Sequence, residues 1–287
     1  ERPGMDSAID KLAATATKSN LSESLWRRVL TACEGFGRST ADPRALAAIS
    51  VRPDVPESIR VEALGMLAKW GDPSALHPLT GLWRGESKRS TEPAVAAMAS
   101  VLPKLVSGSS DKVRNAAASA AGELKVADAG PSLRALAADA ARPPGSRVEA
   151  LRALDALKDA KLAEVVAAAM KDQAGPVRSE GLRILARLEP ERAVDEAAAV
   201  LDTGAAAEKQ AAFTTLGVIP GPKSDAVLTR WLTKLRAGEL PAEVRLDLTE
   251  AVAKRDAAEV KAALASYEGL RDPKDPLAAF RDALVGG

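Results

Sequence analysis

The chain has 287 residues, enough for one large or two ordinary domains, and 46% of them are hydrophobic, enough to build a buried core. Its 40 basic and 39 acidic residues leave a net charge of +1, which excludes a global field drawing the protein to nucleic acid or to an anionic membrane. One histidine, His77, and one cysteine, Cys33, exclude multi-histidine and multi-thiolate metal centres, an intrachain disulfide and a c-type haem attachment within these residues. We expect no cofactor and no metal ion in this segment, and no stretch is apolar enough to predict a membrane span.

The predicted elements are helices that repeat along the chain. Residues 59–67 match residues 146–154 without a gap, and both place apolar residues at steps of three or four after a basic residue. That spacing is typical of an amphipathic helix. The 60 alanines and only 3% of aromatic residues favour closely packed helices. Segments in the same frame lie at residues 25–36, 59–70, 113–124, 146–157, 177–188, 208–219 and 244–252.

Second helices are predicted between these segments, so the chain indicates helix pairs throughout. Asp42 and Asp72 each precede a proline, which places an acidic cap before a residue suited to the first helical position. Most intervals between the basic positions are 31 to 36 residues, the length of a two-helix unit. The predicted second helices span residues 43–51, 73–83, 130–141, 161–170, 191–201, 223–235 and 257–267.

One interval breaks this pattern, because Arg60 and Arg114 are 54 residues apart. Between them lie the predicted helix at 73–83, a polar linker at 85–90 and a further apolar stretch at 93–106. We therefore expect one extra helix and a local change of superhelical curvature near residues 85–110. A kink or a domain seam at this point is the alternative.

The recurring motif x-Val-Arg-x-x-Ala-Leu-x-x-Leu, after a turn containing Asp or Pro, resembles the HEAT repeat over nearly the whole chain. The resemblance implies an all-α fold, a right-handed HEAT-like superhelix of about seven helix pairs in a single solenoid. In that interpretation residues 1–37 form a degenerate first unit, residues 85–110 the irregular unit and residues 111–270 the regular repeats. Residues 275–285 are predicted to form a terminal helix that leads to a missing downstream domain.

A narrower resemblance is to the HEAT region of multidomain proteins from planctomycetes and verrucomicrobia. In that family the region lies between a sugar-dehydrogenase-like β-propeller and a C-terminal c-type cytochrome domain. The resemblance implies an extracytoplasmic redox protein as parent, periplasmic or membrane-associated. No Cys-x-x-Cys-His motif is present, so no haem role passes to any residue here. The segments that carry the resemblance are residues 124–129, 133–144, 235–244 and 275–287.

The basic positions of the repeats form a predicted arginine ladder. An acidic ligand could bind such a ladder, but in HEAT-like stacks this position more often pairs with an acidic residue of the neighbouring unit and with turn carbonyls. Asp111, Asp172 and Glu243 are the candidate partners. We therefore interpret the ladder as structural. Its members are Arg60, Arg114, Arg147, Arg178 and Arg245.

Further polar positions on the arginine-bearing helices are candidates for a protein-binding surface. In HEAT arrays one helix of each pair lines the concave face, and we take it to be the arginine-bearing helix here. The mixed signs of these positions argue against a uniform groove for a polyanion, and a solvated face without a ligand is the alternative. These positions are Lys112, Asn115, Glu149, Arg152, Glu180 and Arg183.

Trp83 and Arg84, with Lys88 and Arg89, form the best local combination of aromatic and basic residues. Single-stranded nucleic acid can stack on such a tryptophan, but one aromatic residue and three cations favour that partner weakly. The remaining tryptophans, Trp26, Trp70 and Trp231, fall at apolar helical positions and are predicted to be core.

His77 and Cys33 lack partner residues that would indicate chemistry, so we predict a surface or capping histidine and a buried, inert thiol. No catalytic residue is assigned, and the segment is not expected to be an enzyme. The sequence favours a scaffold or protein-interaction module, a spacer beside redox domains of a larger exported protein, with adjacent domains or another protein as partner. The alternative is a nucleic-acid-binding or enzymatic HEAT-like protein with a basic concave groove, similar to the HEAT-like DNA glycosylases.

Overall fold

The computed structural model describes residues 3–35, 41–108 and 110–270, together with Lys274 and Leu277. Within these residues the chain forms fifteen α-helices and three short 3-10 turns, and the extended backbone amounts to one isolated bridge. The fold is therefore an all-α solenoid of HEAT-like helical repeats, as the sequence predicted. The helices are α1 Pro3–Ala14, α2 Glu23–Glu34, α3 Pro43–Ser50, α4 Glu57–Ala68, α5 Glu92–Ser107, α6 Asp111–Glu123, α7 Gly130–Ala138, α8 Pro144–Leu157, α9 Leu162–Ala169, α10 Gly175–Leu188, α11 Pro190–Thr203, α12 Ala206–Val218, α13 Pro222–Arg236, α14 Arg245–Ala253 and α15 Ala258–Glu268.

Side-chain caps and prolines set the starts of several helices. The Asp42 carboxylate accepts a hydrogen bond from the Arg44 amide at 3.0 Å, and Pro43 occupies the first turn of α3. The Ser110 hydroxyl accepts from the Val113 amide at 3.2 Å at the start of α6. These bonds satisfy amides that have no partner inside the helix, so Asp42 and Ser110 set where α3 and α6 begin.

The chain divides into two compact units, Glu1–Val165 and Val166–Gly287, with the boundary inside α9. In the first unit α2, α4, α6 and α8 pack side by side in one layer. Helices α3, α5 and α7 form the second layer and pair with the first through α3–α4, α5–α6 and α7–α8. The apolar residues of the repeat motif, among them Leu64, Ala117 and Leu151, are buried between the layers.

The second unit repeats the two-layer arrangement. Helices α10, α12 and α14 pack side by side, α11 packs on α13, and α13 packs on α15. The buried residues of α10, α12 and α14 include Leu182, Ala212, Phe213 and Leu248. Each unit therefore contains the continuous apolar seam that the periodicity predicted, because a single helix pair has no second wall for its apolar face.

Small residues allow two of these helix contacts to be unusually close. A Cβ atom added to Gly122 of α6 would lie 3.0 Å from the Cα atom of Ala153 in α8. The corresponding Gly217 of α12 faces Ala251 of α14, where an added Cβ atom would lie 2.9 Å from the Ala251 Cα atom. Small residues thus allow the backbones of neighbouring helices in each layer to approach closely.

The predicted helix at residues 73–83 is wrong. That segment belongs to a long connection, residues 69–91, which leads from α4 to α5. Pro78 has no amide hydrogen to donate and Gly81 has a φ of +68°, so a continuous helix is unfavourable there. Without this helix there is no extra element, and α5 takes the place of the second helix of its pair. The predicted terminal helix at 275–285 lies, apart from Leu277, outside the residues that the structure describes.

Candidate functional site

The long connection between α4 and α5 folds into a small hairpin, which we call the exposed hairpin, residues 75–84. Its strands meet at an antiparallel bridge between Leu76 and Trp83. The amide of His77 donates to the carbonyl of Leu82 at 2.8 Å, and the amide of Arg84 donates to the carbonyl of Ala75 at 2.8 Å. These bonds hold the chain in a defined turn.

The exposed hairpin turns large apolar side chains toward solvent. Leu76 is 53% exposed, Leu79 40%, Leu82 69% and Trp83 73%. Trp26, Trp70 and Trp231 are buried, as predicted, which sets Trp83 apart from the other tryptophans. Scattered exposed leucines are ordinary on protein surfaces, but four large apolar residues within eight positions form a patch. This is the densest such cluster in the part of the chain that the structure describes.

An ion pair below the apolar tip connects the exposed hairpin to α2. The Arg84 guanidinium lies 2.8 Å from the Glu34 carboxylate, and the two side chains are only 12% and 6% exposed. Arg84 also donates from Nε to the carbonyl of Ser74 at 3.1 Å. Charged groups this deeply buried are stable only when paired, so the pair fixes the base of the hairpin against the first unit.

A second arginine fixes the end of the long connection. The Arg89 guanidinium lies 3.5 Å from the centroid of the Trp70 ring, its Nε donates to the Trp70 carbonyl at 2.7 Å, and its Nη1 donates to the Glu34 carbonyl at 2.7 Å. Burial lowers the pKa of Arg89 from its ordinary value, and the Glu34 carboxylate opposes this. The base of the hairpin and the end of the connection are therefore both anchored on Glu34, the last residue of α2.

The placement of these arginines corrects one prediction. Arg84 is not part of an exposed interaction surface, because its side chain points inward to Glu34. Arg89 covers Trp70 in the same way, and Lys88 is the exposed cation of the group. Trp83 is exposed as expected, but without the basic surroundings that stacking on a nucleic acid would need.

The other proposed surface positions are engaged in local pairs. Lys112 lies 3.3 Å from Glu57, Asn115 accepts a hydrogen bond from the Ser146 hydroxyl at 2.6 Å, and Glu149 lies 2.8 Å from Arg152. A further pair joins Arg183 to Glu180 at 2.7 Å. Glu180 is buried, so the expectation that it is exposed is wrong.

The arginine ladder bonds backbone carbonyls of the helix or turn that precedes each arginine. Arg60, Arg114 and Arg147 donate to carbonyls in the last two residues of the preceding helix, where carbonyls lack intrahelical partners. Arg178 and Arg245 donate to carbonyls in the turn that follows the preceding helix. Arg114 and Arg147 are buried, and Arg114 also contacts Asp111 and the Gly108 carbonyl. Asp172 contributes its carbonyl oxygen to the ladder. The bonds run from Arg60 to Ser50 at 2.8 Å, from Arg114 to Val106 at 3.1 Å, from Arg147 to Ala137 at 3.0 Å, from Arg178 to Asp172 at 2.6 Å and from Arg245 to Leu240 at 3.0 Å.

Acidic partners from a neighbouring pair are present at one ladder position. Arg178 of α10 lies 2.7 Å from Glu208 of α12. The Glu243 carbonyl instead accepts a hydrogen bond from the Gln210 side chain at 2.7 Å. The ladder is thus built mainly on carbonyl oxygens, and its guanidinium groups are occupied by the protein itself.

The surroundings of His77 and Cys33 indicate structural roles. The His77 Nδ1 atom accepts a hydrogen bond from the Leu79 amide at 3.3 Å, inside the exposed hairpin. Cys33 is buried in α2, and burial together with the negative charge of Asp42 raises the pKa of its thiol to about 11. A thiol with such a pKa carries almost no thiolate near neutral pH, so it is a poor nucleophile.

The described ranges contain neither a cluster of metal-binding side chains nor a helix suited to a membrane. No group of three or more His, Cys, Asp or Glu residues there is arranged to hold a metal ion. No helix in the same ranges combines the length and the apolar character that a bilayer crossing demands.

No family model and no curated protein matches the sequence. Among solved structures, the chain is similar to human deoxyhypusine hydroxylase in complex with glycerol, with 18% identity, a TM-score of 0.40, and coverage of 85% of this chain and 94% of that one. It is also similar to the complex of CpcE and CpcF of phycocyanin lyase from Nostoc sp. PCC7120, with 16% identity, a TM-score of 0.47, and coverage of 91% and 94%.

These names correct the prediction that the segment is not an enzyme. Both similar structures carry enzyme names, a hydroxylase and a lyase, so a helical-repeat architecture does not exclude catalysis. At these identities and TM-scores the likeness assigns no reaction to this chain.

Proposed function

We propose that this chain is a protein-binding helical-repeat module that docks a partner protein through the exposed hairpin. The observation that carries the proposal is the outward-facing patch of Leu76, Leu79, Leu82 and Trp83 on a turn whose base is anchored. Tryptophan is enriched among the residues that dominate binding energies, and an ordered loop loses little conformational entropy on docking. The complementary surface on the partner is an apolar pocket wide enough for an indole and a leucine side chain.

Two other partner classes fit the hairpin less well. Nucleic acid and anionic membranes both need cations beside the aromatic residue. Arg84 and Arg89 turn inward instead, and the exposed Lys88 lies beside the exposed Glu86. The charge around the tip is thus close to balanced, which suits an apolar protein pocket.

Site-specific photo-crosslinking tests the proposal. A benzophenone amino acid at position 82 should crosslink a distinct protein partner in extracts of the source organism, and mass spectrometry should identify the linked peptide. The matched control carries the same group at Val218, a residue of α12 that is 64% exposed against 69% for Leu82. Equal crosslinking from both positions would contradict docking through the hairpin.

Binding of the identified protein, measured by calorimetry with purified components, gives the second half of the test. Trp83→Ala should weaken affinity by about 30-fold, about 2 kcal/mol, as expected for an aromatic residue at the centre of an interface. Val218→Ala should leave affinity unchanged. An unchanged affinity in Trp83→Ala would remove the proposal.

A finer version of this function places the module beside redox domains of a larger exported protein. It is supported by the resemblance of residues 124–129, 133–144, 235–244 and 275–287 to the HEAT region of such proteins. Reading the gene downstream of Gly287 tests it: a Cys-x-x-Cys-His motif is expected within the following domain, and an unrelated downstream sequence would contradict it.

A further inference from the structure

We propose that Glu34 and Arg84 are positioning residues that hold the exposed hairpin in its docking conformation before a partner arrives. The proposal deepens the docking function and, for its biological value, rests on it. Trp83 and Arg84 are adjacent in the chain, so the most exposed large apolar residue of the described ranges is followed at once by an arginine whose side chain is only 12% exposed. Fixing Arg84 therefore fixes the direction in which Trp83 leaves the protein surface.

Three sets of contacts converge on this point. The Arg84 side chain binds the Glu34 carboxylate and the Ser74 carbonyl, and the Arg84 amide closes the hairpin on Ala75. Arg89 binds the Glu34 carbonyl from the far end of the connection. Glu34 thus anchors the hairpin with its side chain and the rest of the connection with its backbone.

The location of Glu34 makes the anchor rigid. It is the last residue of α2, and the Gly35 that follows has a φ of +54° and donates its amide to the Thr31 carbonyl at 3.2 Å. A carboxylate at the end of a capped helix has a fixed backbone, and its side chain is 6% exposed. The helix end and the hairpin therefore act as one body, and loss of the ion pair should release the hairpin alone.

Hydrogen exchange of the free, full-length protein tests this step without a partner. The amides of His77, Gly81 and Arg84 all donate to carbonyls inside the hairpin and should be protected. In Glu34→Gln and in Arg84→Met their exchange should rise at least 10-fold, while the amides of α4 and α5 keep their wild-type rates. The matched control is Arg230→Met, which removes an exposed ion pair to Asp202 at 3.4 Å and should leave the hairpin unchanged.

The double variant Glu34→Gln with Arg84→Met shows whether the two residues act on hairpin exchange as a pair or independently. If the two residues act as one anchor, hairpin exchange in the double variant equals that of the more open single variant. Wild-type exchange in either single variant would overturn the proposal, as would equal opening of α4 and α5.

A binding measurement connects the anchor to docking. With the partner identified above, both single variants should slow association while leaving the Trp83 contact available, so that affinity falls by about 10-fold. Faster hairpin exchange with unchanged affinity would overturn the positioning role. If Trp83→Ala itself leaves binding intact, the docking function fails, and the exchange data still decide whether Glu34 and Arg84 order the hairpin.

Discussion

Two connections between helices, α8–α9 and α4–α5, differ in their length and in the side chains that they expose. The first needs only residues 158–161: Lys158 adopts a left-handed φ of 52°, and Asp159 accepts from the Lys161 amide at 3.0 Å and from Arg134 at 2.5 Å. The second runs through residues 69–91 and turns four apolar side chains outward. Both contain an arginine–carboxylate pair, but only the longer one uses it to present an apolar surface. The stack does not require this surface, which is why we assign it to a partner.

The comparison predicts that the ladder is indispensable to stability while the hairpin is not. Arg114→Ala removes a buried guanidinium that donates to the carbonyls of Val106 and Gly108, and only Gly108 keeps a second donor, Arg142 at 3.4 Å. We expect a loss of about 3 kcal/mol in the free energy of unfolding, measured by urea denaturation. Arg245→Ala, a half-buried member of the ladder, is the control and should lose about 1 kcal/mol. Equal losses would show that burial does not set the contribution of the ladder.

A second prediction concerns the apolar seam of the first unit. Ala150 of α8 is fully buried, so Ala150→Leu should overpack the layer and lower the free energy of unfolding by about 1–3 kcal/mol. The control is Ala163→Leu on the exposed side of α9, where a change within about 0.5 kcal/mol is expected. An unchanged thermal midpoint for Ala150→Leu would contradict the close packing of α8.

A third prediction removes the hairpin itself. Ala75 and Arg84 are joined by a backbone hydrogen bond, so residues 76–83 can be replaced by Asn-Gly, the preferred two-residue turn. The helical content should persist, and the free energy of unfolding should change by less than about 1 kcal/mol, because a shorter loop closes at lower entropic cost. Circular dichroism and denaturation measure this. Collapse of the fold would show that the hairpin belongs to the core and not to a docking surface.

The smallest expected effect is a pH dependence at the turn that contains Arg52 and Asp54. Arg52 hydrogen-bonds to Asp54 at 2.5 Å and lowers the pKa of that carboxyl from 3.8 to about 2. A depressed folded-state pKa stabilises the protein above about pH 4, and the contribution disappears as the pH falls through about 2. Carboxyl NMR of Asp54 should show this titration, and Arg52→Gln should return it to the ordinary range. An ordinary pKa in the wild type would contradict the pairing.

The fold was readable from the sequence because the basic position, the following Ala-Leu and the turn residues recur in one frame. The candidate site was harder to recognise. Leu76, Leu79 and Leu82 are spaced like the buried face of a helix, and Asp72-Pro73 resembles a helix start. Pro78 and Gly81 were the available signals against that interpretation. No pattern indicated that Arg84 pairs with Glu34, because the two residues lie 50 positions apart and meet only after the stack has formed.

The arginine ladder has a consequence for how such a chain can grow. Each ladder guanidinium bonds a carbonyl of the helix or turn immediately before it, so donor and acceptor are encoded within one stretch of gene. Duplication or loss of that whole stretch leaves each of these carbonyls with its arginine donor. A breakpoint inside the stretch separates a carbonyl from its donor. Changes in array length should therefore occur in complete pairs, with junctions in the turns that follow the arginine-bearing helices.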